Sequence, residues 1–566
     1  MSTYLETLIS AAVSSAYRGA FGEPPPSNKS VVRPTDRPEH GDFSSNLALV
    51  AASNAGLPPR DFAERLVQQL ETSDAGASFR EVRVAGPGFV NFFFQPTAVQ
   101  AALSHLLRHG NRYGHSDLGK GESLQIEFVS SNPTGPLTVG HGRQAVLGDV
   151  LANLYGRLGF DVQREYYFND EGRQIDLLAQ SLWVRHRELL GEAHAIPEDG
   201  YFGDYLVDIA QDLQHEVESN VPIVSFEAFT DDARTFYRRK AVERMTARIK
   251  DDLKKLGVRF DHWFSEATLH DAGKVDAALE YLKAAGGTYE QDGAVWLKAE
   301  EHGGVKDSVL QRSDEEKSYT YLMVDIAYHI SKHEREFRRV INVQGADHHA
   351  EQSCMKAAMR ILGYDVDWLS YAVHQFVSLK EGGETLKMST RAGRFVTLRD
   401  LIDELGSDIV RYFMISRKPE AHLDFDLDLA RSESLDNPAT YVQYAHTRIA
   451  SIFRNAESPF AKQQLDEVGW TQIDLTPLIE PEELHLIKTL DRFPALVETA
   501  ALSFAPHLVA DYALQLARSF HAYYDRHRVL TDNEPLTRAR LALLRGLSLV
   551  LRESLAILGV NAPEEM

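Results

Sequence analysis

Among 566 residues there is one cysteine, Cys354. That excludes a disulfide framework and any cysteine-rich zinc ribbon, and it suits a reducing cytoplasm. Long apolar runs are missing too, so no segment can span a bilayer. The start, MSTYLETLISAAVSSAYRGAFG, has no basic leader followed by a continuous apolar core and is not a secretory signal. It reads instead as an amphipathic helix with Leu5, Leu8, Ile9, Ala12 and Val13 on one face. Basic charge is in deficit: 60 Lys and Arg against 82 Asp and Glu leave a net charge of −22. Affinity for nucleic acid through overall charge is thereby excluded, while local basic patches remain open. Arg238-Arg239-Lys240 and Lys250 to Lys255 are candidates, and each also reads as a solvated helix face. Repeats and low-complexity tracts are absent. The 43% hydrophobic composition is ample for several cores, and the length implies several domains.

Two short motifs carry chemistry. The run SLQIEFV, Ser123 to Val129, alternates apolar residues as a strand entering a buried sheet does. Two prolines and a glycine between Ser130 and Pro136 then force a loop. Beyond it Val139, Val146, Leu147, Val150, Leu151 and Leu154 recur at helical spacing, so a helix begins near Gly140 and His141. A strand, a glycine-bearing loop and a helix start form an anion site, because unpaired N–H groups and the helix dipole favour phosphate. Gly140 admits a nucleotide close to the backbone, and His141 and Arg143 are candidate donors to phosphate oxygens whose charge grows in a transition state. Alone, the motif also reads as a turn before a core helix. The second motif, Lys387-Met388-Ser389-Thr390, lies in KEGGETLKMSTRAGRFVTL, an expected exposed loop with Gly382, Gly383 and Gly393 as flexible joints. A lysine there can close over a triphosphate, although the loop alone also reads as a solvated turn.

Eight stretches in order make the chain similar to the arginyl-tRNA synthetase family of class I synthetases. They are EFVSSNPTGPLTVGHGR, EYYFNDEGRQI, KSYTYLMVDIAYH, GADHH, KMSTRAGRFVTLRDLIDELGSDIVRYF, LDFDLDLA, YVQYAHTRI and the terminal LGVNAPEEM. The resemblance implies an α/β protein in three parts. These are an N-terminal α/β domain contacting tRNA (1–110), a Rossmann-type parallel-sheet catalytic domain (111–415) with a polar helical insertion near 185–260, and an α-helical anticodon-binding bundle (416–566). It implies activation of L-arginine by ATP and transfer of the arginyl group to the 3′-terminal adenosine of tRNA(Arg). ATP would bring Mg²⁺, with no protein-bound zinc; the expected state is a monomer without membrane contact.

Carried over by position, Thr138, Gly140, His141, Lys387, Met388 and Ser389 belong to catalysis. Asn132, Pro133, Gly142, Arg143, Gly345, Asp347 and His348 belong to ATP. Glu127 and Asn132 match positions holding the α-amino and carboxylate ends of arginine, with Ser130 beside them. Tyr321 and Asp325 match the guanidinium pair, and a carboxylate is the natural reader of that planar fork. On a helix their spacing puts them on one face. Gly345 to His349 follow the apolar VINVQ and fall at the carboxyl end of a later strand, the edge that faces ligands in an open α/β sheet. His348, His349 and one cysteine do not make a metal site. Tyr441, Tyr444, Tyr524 and Met566 match positions that meet the anticodon loop, where aromatics stack unpaired bases. His40, Gly41 and Asp42 match an N-terminal motif that also reads as a cap of the following helix.

Three departures stand out. Thr138 replaces the first histidine of the HIGH signature, though its hydroxyl still donates to a phosphate oxygen. Thr390 replaces the second lysine of KMSKS, and the position where some members compensate is Gly135; Lys380, Arg391 and Arg394 are the candidates for the missing charge. Arg173 adds bulk beside the Asn169-Asp170 turn. Two other readings compete. A nucleotidylyltransferase would use the helix start alone, leaving Tyr321, Asp325 and the C-terminal helices unexplained. A noncatalytic tRNA-binding paralogue is motivated by Thr138 and Thr390.

Overall fold

A computed structural model describes residues 3–22, 24, 32–35, 37–218, 228–386, 396–455 and 467–566. The first helix, Tyr4–Phe21, opens on a Thr3/Glu6 capping box and stops at Gly22. It buries Leu5, Ile9, Ala12, Val13, Ala16 and Tyr17, while Leu8 sits at the edge of that face. Four antiparallel strands, β1 (Val32–Pro34), β2 (Phe43–Ser45), β3 (Phe79–Ala85) and β4 (Phe89–Phe94), form a sheet in the order β1-β2-β4-β3. This N-terminal part is fastened to the far end of the chain. Asp491 accepts the N–H groups of Tyr4 and Leu5 at 3.0 and 3.1 Å. Lys488 Nζ reaches Asp42 Oδ1 at 2.6 Å, and the other Asp42 oxygen accepts Phe94 N–H at 2.8 Å. Asp42 is therefore a bridge between domains and not a helix cap. Burial pushes the Asp491 carboxyl up to about 6 in spite of its two amide donors.

The catalytic part is built on five parallel strands in the order β12-β11-β5-β6-β7. They are β5 (Ser123–Glu127), β6 (Asp161–Phe168), β7 (His262–Ser265), β11 (Arg339–Gly345) and β12 (Leu369–His374). A three-stranded sheet, β8 (Thr288–Gln291), β9 (Ala294–Leu297) and β10 (Ser308–Gln311), stands beside it in the order β10-β9-β8. The order reverses between β5 and β11, so the crevice outside their carboxyl ends is a topological switch point. The strand read as Ser123 to Val129 ends at Glu127, because Val129 and Ser130 take left-handed backbone angles, φ 67° and 40°. That conformation is costly for a β-branched residue and needs support from its surroundings. Support is at hand: Tyr167 N–H donates to Ser130 Oγ (3.2 Å), and Tyr166 Oη donates to Ser131 O (2.9 Å).

Three helices, Arg173–Leu189, Tyr205–Glu218 and Asp231–Lys255, enclose a core of their own around Leu182, Leu206, Tyr237 and Met245. The two cation runs expected there are largely neutralised. Arg238 pairs with Glu171 (2.5 Å) and Asp176 (3.5 Å), Lys240 with Glu243 (3.7 Å) and Lys255 with Asp403 (2.9 Å). Lys250 lies over the Trp263 ring at 4.6 Å. Both runs are solvated helix faces rather than open basic patches.

Part of the stretch read as a flexible loop is a hairpin. β13 (Val377–Glu381) turns through Gly382 and Gly383, at φ 58° and 80°, into β14 (Glu384–Thr385). Two residues at positive φ are what a tight hairpin requires. β13 also pairs in parallel with β15 (Leu423–Asp426). That strand falls where helix was expected, since LDFD alternates buried and exposed positions with a period of two. Helices Pro438–Asn455, Pro481–Asp491, Phe493–Leu502, His507–Arg526 and Glu534–Leu558 complete the C-terminal bundle. Arg411 joins this bundle to the sheet layer. It donates to Leu558 O (2.9 Å), Leu256 O (3.2 Å) and Asp149 Oδ2 (2.6 Å).

Candidate active site

The helix Val139–Arg157 starts at the switch point with Thr138 as its cap. Thr138 N–H donates to His141 Nδ1 at 3.1 Å, so that nitrogen is an acceptor and the proton resides on Nε2. Burial, then the charge of His374, lowers His141 to about 4. At neutral pH the ring is therefore an uncharged donor. Leu398 N–H donates to Leu137 O at 2.8 Å, and Thr138 bridges Thr397. The chain that follows the second motif thus returns directly to the first. Lys387, Met388, Ser389, Thr390, Arg391 and Arg394 lie outside the described residues.

A cavity of about 660 Å³ opens between these elements. Glu127, Ser130, Asn132, Thr138, Gly140, His141, Tyr321, Asp325, Gly345, Asp347 and His348 all line it. Tyr321 and Asp325 share the helix Tyr321–Glu334, with Tyr321 64% exposed and the Asp325 side chain 41% exposed. Burial works to raise the Asp325 carboxyl, but His329 and Lys332 hold it below the ordinary aspartate value. Glu127 Oε1 accepts Ser130 Oγ (2.9 Å) and Oε2 meets the buried Lys332 ammonium (2.5 Å). Asn132 Nδ2 donates to Gln174 Oε1 at 2.9 Å. His348 pairs with Glu351 at 2.8 Å, which raises its affinity for a proton.

Not every position expected at the nucleotide faces it. Arg143 is a correction: its guanidinium turns away and donates to Gln375 O (2.7 Å), Ala421 O (2.9 Å) and Lys418 O (2.9 Å). A side chain that satisfies three carbonyls while buried is a structural clamp. Burial lowers it to about 10, and it stays cationic at neutral pH. Pro133 and Gly142 are also absent from the cavity wall. At Gly142 a Cβ would approach Leu398 Cδ1 to 2.7 Å, so the glycine permits close packing there. Lys380, a candidate for the missing charge, pairs with Asp424 at 2.7 Å.

Several wall residues escaped sequence reasoning. Glu266 lines the cavity, accepts the Tyr167 hydroxyl, and is pushed up by burial to about 7. His374 is buried, with Nδ1 against Gln375 O (3.2 Å) and Nε2 without a partner among the described residues. Asp325, His329 and Lys332 follow one another at helical spacing within an apolar run, a signal that was legible and was read only at Asp325.

A second cavity, about 980 Å³, lies in the C-terminal bundle. Tyr444, Tyr524 and Met566 line it, and Arg448 spans both rings at 5.5 and 4.7 Å from their centroids. Tyr441 does not line it; its ring packs edge-on against His521 at 4.9 Å.

A parallel sheet with its crevice between β5 and β11, a Gly-His helix start beneath it and a helical C-terminal domain define a class I aminoacyl-tRNA synthetase. Family models narrow this. The arginyl-tRNA synthetase N-terminal domain matches residues 3–94, the class I (R) tRNA synthetase catalytic domain 102–419, and the DALR anticodon binding domain 442–566. The arginine–tRNA ligase of Thermotoga maritima is 44% identical over 531 residues, 94% of each chain. That of Legionella pneumophila (strain Paris) is 42% identical over 557 residues, 94% of this chain and 93% of the other. A crystal structure of a putative arginyl-tRNA synthetase from Campylobacter jejuni superposes with a TM-score of 0.74 at 33% identity, covering 84% of this chain and all of that one. Arginyl-tRNA synthetase from Thermus thermophilus shares the fold, with a TM-score of 0.73 at 23% identity over 99% of this chain and all of the other. The chain belongs to the arginyl-tRNA synthetase family, and its activity is the ATP-dependent charging of tRNA with arginine. These relatives lend nothing to a noncatalytic paralogue or a nucleotidylyltransferase.

Proposed function

We propose that the cavity at the switch point binds arginine across its acidic floor and ATP along the Gly-His helix start. The observation that carries this reading is the convergence of Glu127, Glu266 and Asp325 on one cavity. A cationic amino acid answers three carboxyl groups gathered on one cavity wall, where a neutral one forgoes that charge pairing. Glu127 and Asn132 take the α-amino and carboxylate ends, with Ser130 holding Glu127 in place; Tyr321 and Asp325 take the guanidinium.

ATP lies with its phosphates toward Thr138, Gly140 and His141. The uncharged His141 ring donates from Nε2 to oxygens on which charge accumulates as pyrophosphate departs. Lys387, with Met388 and Ser389, closes over that leaving group. Asn132, Gly345, Asp347 and His348 border the nucleoside, and His374 Nε2 is a buried acceptor suited to a hydroxyl or amino donor from it. Mg²⁺ arrives on the nucleotide, bound by its phosphate oxygens. Both half-reactions depend on alignment more than on covalent chemistry, so fixing the carboxylate against the α-phosphate accounts for much of the rate.

The 3′ end of tRNA(Arg) reaches this cavity while its anticodon loop lies against Tyr444, Tyr524 and Met566, with Arg448 between the rings. The protein acts as a monomer. Arginine-dependent ATP–pyrophosphate exchange and arginyl-tRNA formation, each measured with and without tRNA(Arg), test the reading. Charging together with exchange that requires tRNA is the expected result. tRNA binding with neither activity would overturn the assignment of roles.

A further inference from the structure

Lys332, Asn342 and His329 are buried behind the cavity wall and do not touch its interior. Their polar contacts nevertheless run from one arginine-pocket carboxylate to the other, as hydrogen bonds up to His329 and as a 3.1 Å approach to Asp325 Oδ1 at the end. Lys332 Nζ meets Glu127 Oε2 at 2.5 Å and Asn342 Oδ1 at 3.0 Å. Asn342 Nδ2 meets His329 Nε2 at 2.8 Å. His329 Nδ1 lies 3.1 Å from Asp325 Oδ1 and 2.8 Å from Asp325 O.

We propose that Lys332, Asn342 and His329 act as positioning residues that fix Glu127 and Asp325 as one pre-formed receptor for arginine. The proposal rests on the assignment of those two carboxylates to the substrate. The donor inventory gives the chain a single sense. An ammonium only donates, so Asn342 must turn its carbonyl to Lys332 and its amide to His329. The His329 Nε2 is then an acceptor and its proton sits on Nδ1, where it can only donate to Asp325. Asp325 is thereby oriented by the Nδ1 donor of His329, which leaves its negative charge for a guanidinium. At the other end Lys332 offsets part of the Glu127 charge, and the ring of Tyr328 lies 4.3 Å from the same ammonium.

The two ends of the pocket are thus unequal. The Asp325 end keeps an ionised carboxylate, held below its ordinary value by His329 and Lys332, for a permanent cation, while the Glu127 end, paired directly with the Lys332 ammonium, is held in place for the α-amino group. A buried ion pair is a weak stabilising device compared with apolar packing of the same volume. Fixing Glu127 is a role that packing alone does not fill.

Steady-state kinetics on the full-length His329→Leu, His329→Asn and Asn342→Leu variants test the proposal. His329→Leu removes the donor to Asp325, whereas the amide of His329→Asn can occupy the place of Nδ1 and restore it. Losing one hydrogen bond to a charged group corresponds to about a 10- to 100-fold change in affinity. The expected result is that rise in arginine KM for His329→Leu, with ATP KM within about twofold, and recovery of most of it in His329→Asn. Asn342→Leu should raise arginine KM in the same selective way, and it reads the relay independently should His329→Leu fail to fold.

Arginine and ATP KM rising together, or equal defects in the leucine and asparagine variants, would mean a merely structural core and overturn the relay. Asp325→Asn separates the two levels. A raised arginine KM in that variant with none in His329→Leu refutes the relay alone. An unchanged arginine KM in Asp325→Asn refutes the pocket assignment, and the relay with it.

Discussion

Arg143→Met is the sharpest test of a residue whose place in the sequence points to phosphate and whose place in the structure does not. The substitution keeps an unbranched apolar stem but removes every donor to Gln375 O, Ala421 O and Lys418 O. An acceptor left buried and unpaired costs about 1–3 kcal/mol. The three carbonyls share one guanidinium and relax together, so a loss of roughly 3–6 kcal/mol is expected instead of the full sum. Against a native stability of about 5–15 kcal/mol that is a large fraction. Spread over a domain of about 300 residues, it lowers the catalytic domain's unfolding transition by roughly 5–10 °C. Calorimetry and tryptophan fluorescence would follow the transition, with ATP–pyrophosphate exchange run well below it. The expected variant unfolds early but retains an ATP KM within about threefold of the parent when cold, since uniform binding contacts are what KM reports. An unshifted transition with ATP KM raised tenfold would refute the clamp and return Arg143 to the nucleotide.

Other consequences are open to measurement. His141 titrates near 4 in the folded chain and near 6.5 when unfolded, so the unfolded state gains its proton first. The associated stability is intact above pH 6.5 and falls by up to about 3 kcal/mol as pH drops toward 4; a parent and a His141→Gln variant with identical pH dependence of unfolding would contradict this. Glu266 is protonated until about pH 7 in the free enzyme, so arginine binding below that pH should release a proton. Arginine KM is then expected to rise, by at most about tenfold per pH unit, as pH falls below 7, and a Glu266→Gln variant with the same slope would rule Glu266 out as the source. Lys380→Ala should slow adenylate formation less than about threefold, because exposed pairs such as that with Asp424 contribute about 1 kcal/mol or less; a severe loss would restore Lys380 as the compensating cation. Tyr524→Ala should raise the tRNA KM by roughly 5- to 100-fold, the range for losing one aromatic–base stack; tRNA KM unchanged would exclude the ring from the anticodon contact.

The parts of this molecule that were legible in the sequence are those with local causes. Strand, loop and helix start around His141 follow from alternation, prolines and helical spacing, and Tyr321 with Asp325 follows from one helical face. What was missed depends on distant partners. Arg143 could not be separated from a phosphate ligand without knowing that three carbonyls from two later loops converge on it. The strand end at Glu127 was set two residues late because Val129, a strand-favouring residue, is left-handed where Tyr166 and Tyr167 of the neighbouring strand bond Ser131 and Ser130 beside it. The cation runs at Arg238 and Lys250 read as solvated helix faces in sequence and are such in the structure, but their partners Glu171, Asp176 and Asp403 lie on other elements and could not be named.

The fastening of the first helix to Asp491 has a consequence for synthesis. Tyr4 and Leu5 leave the ribosome well before the carboxylate that closes their backbone, which is 486 positions beyond Leu5. At about 5–20 residues per second, roughly 25–100 s pass before that partner emerges. Through that interval the helix can lie against its own domain, on Pro59–Glu71 and Pro96–His109, but its first N–H groups lack the acceptor that Asp491 later supplies. Closing the start of this helix is therefore a late step of folding, and slowing translation within the C-terminal third should delay it further.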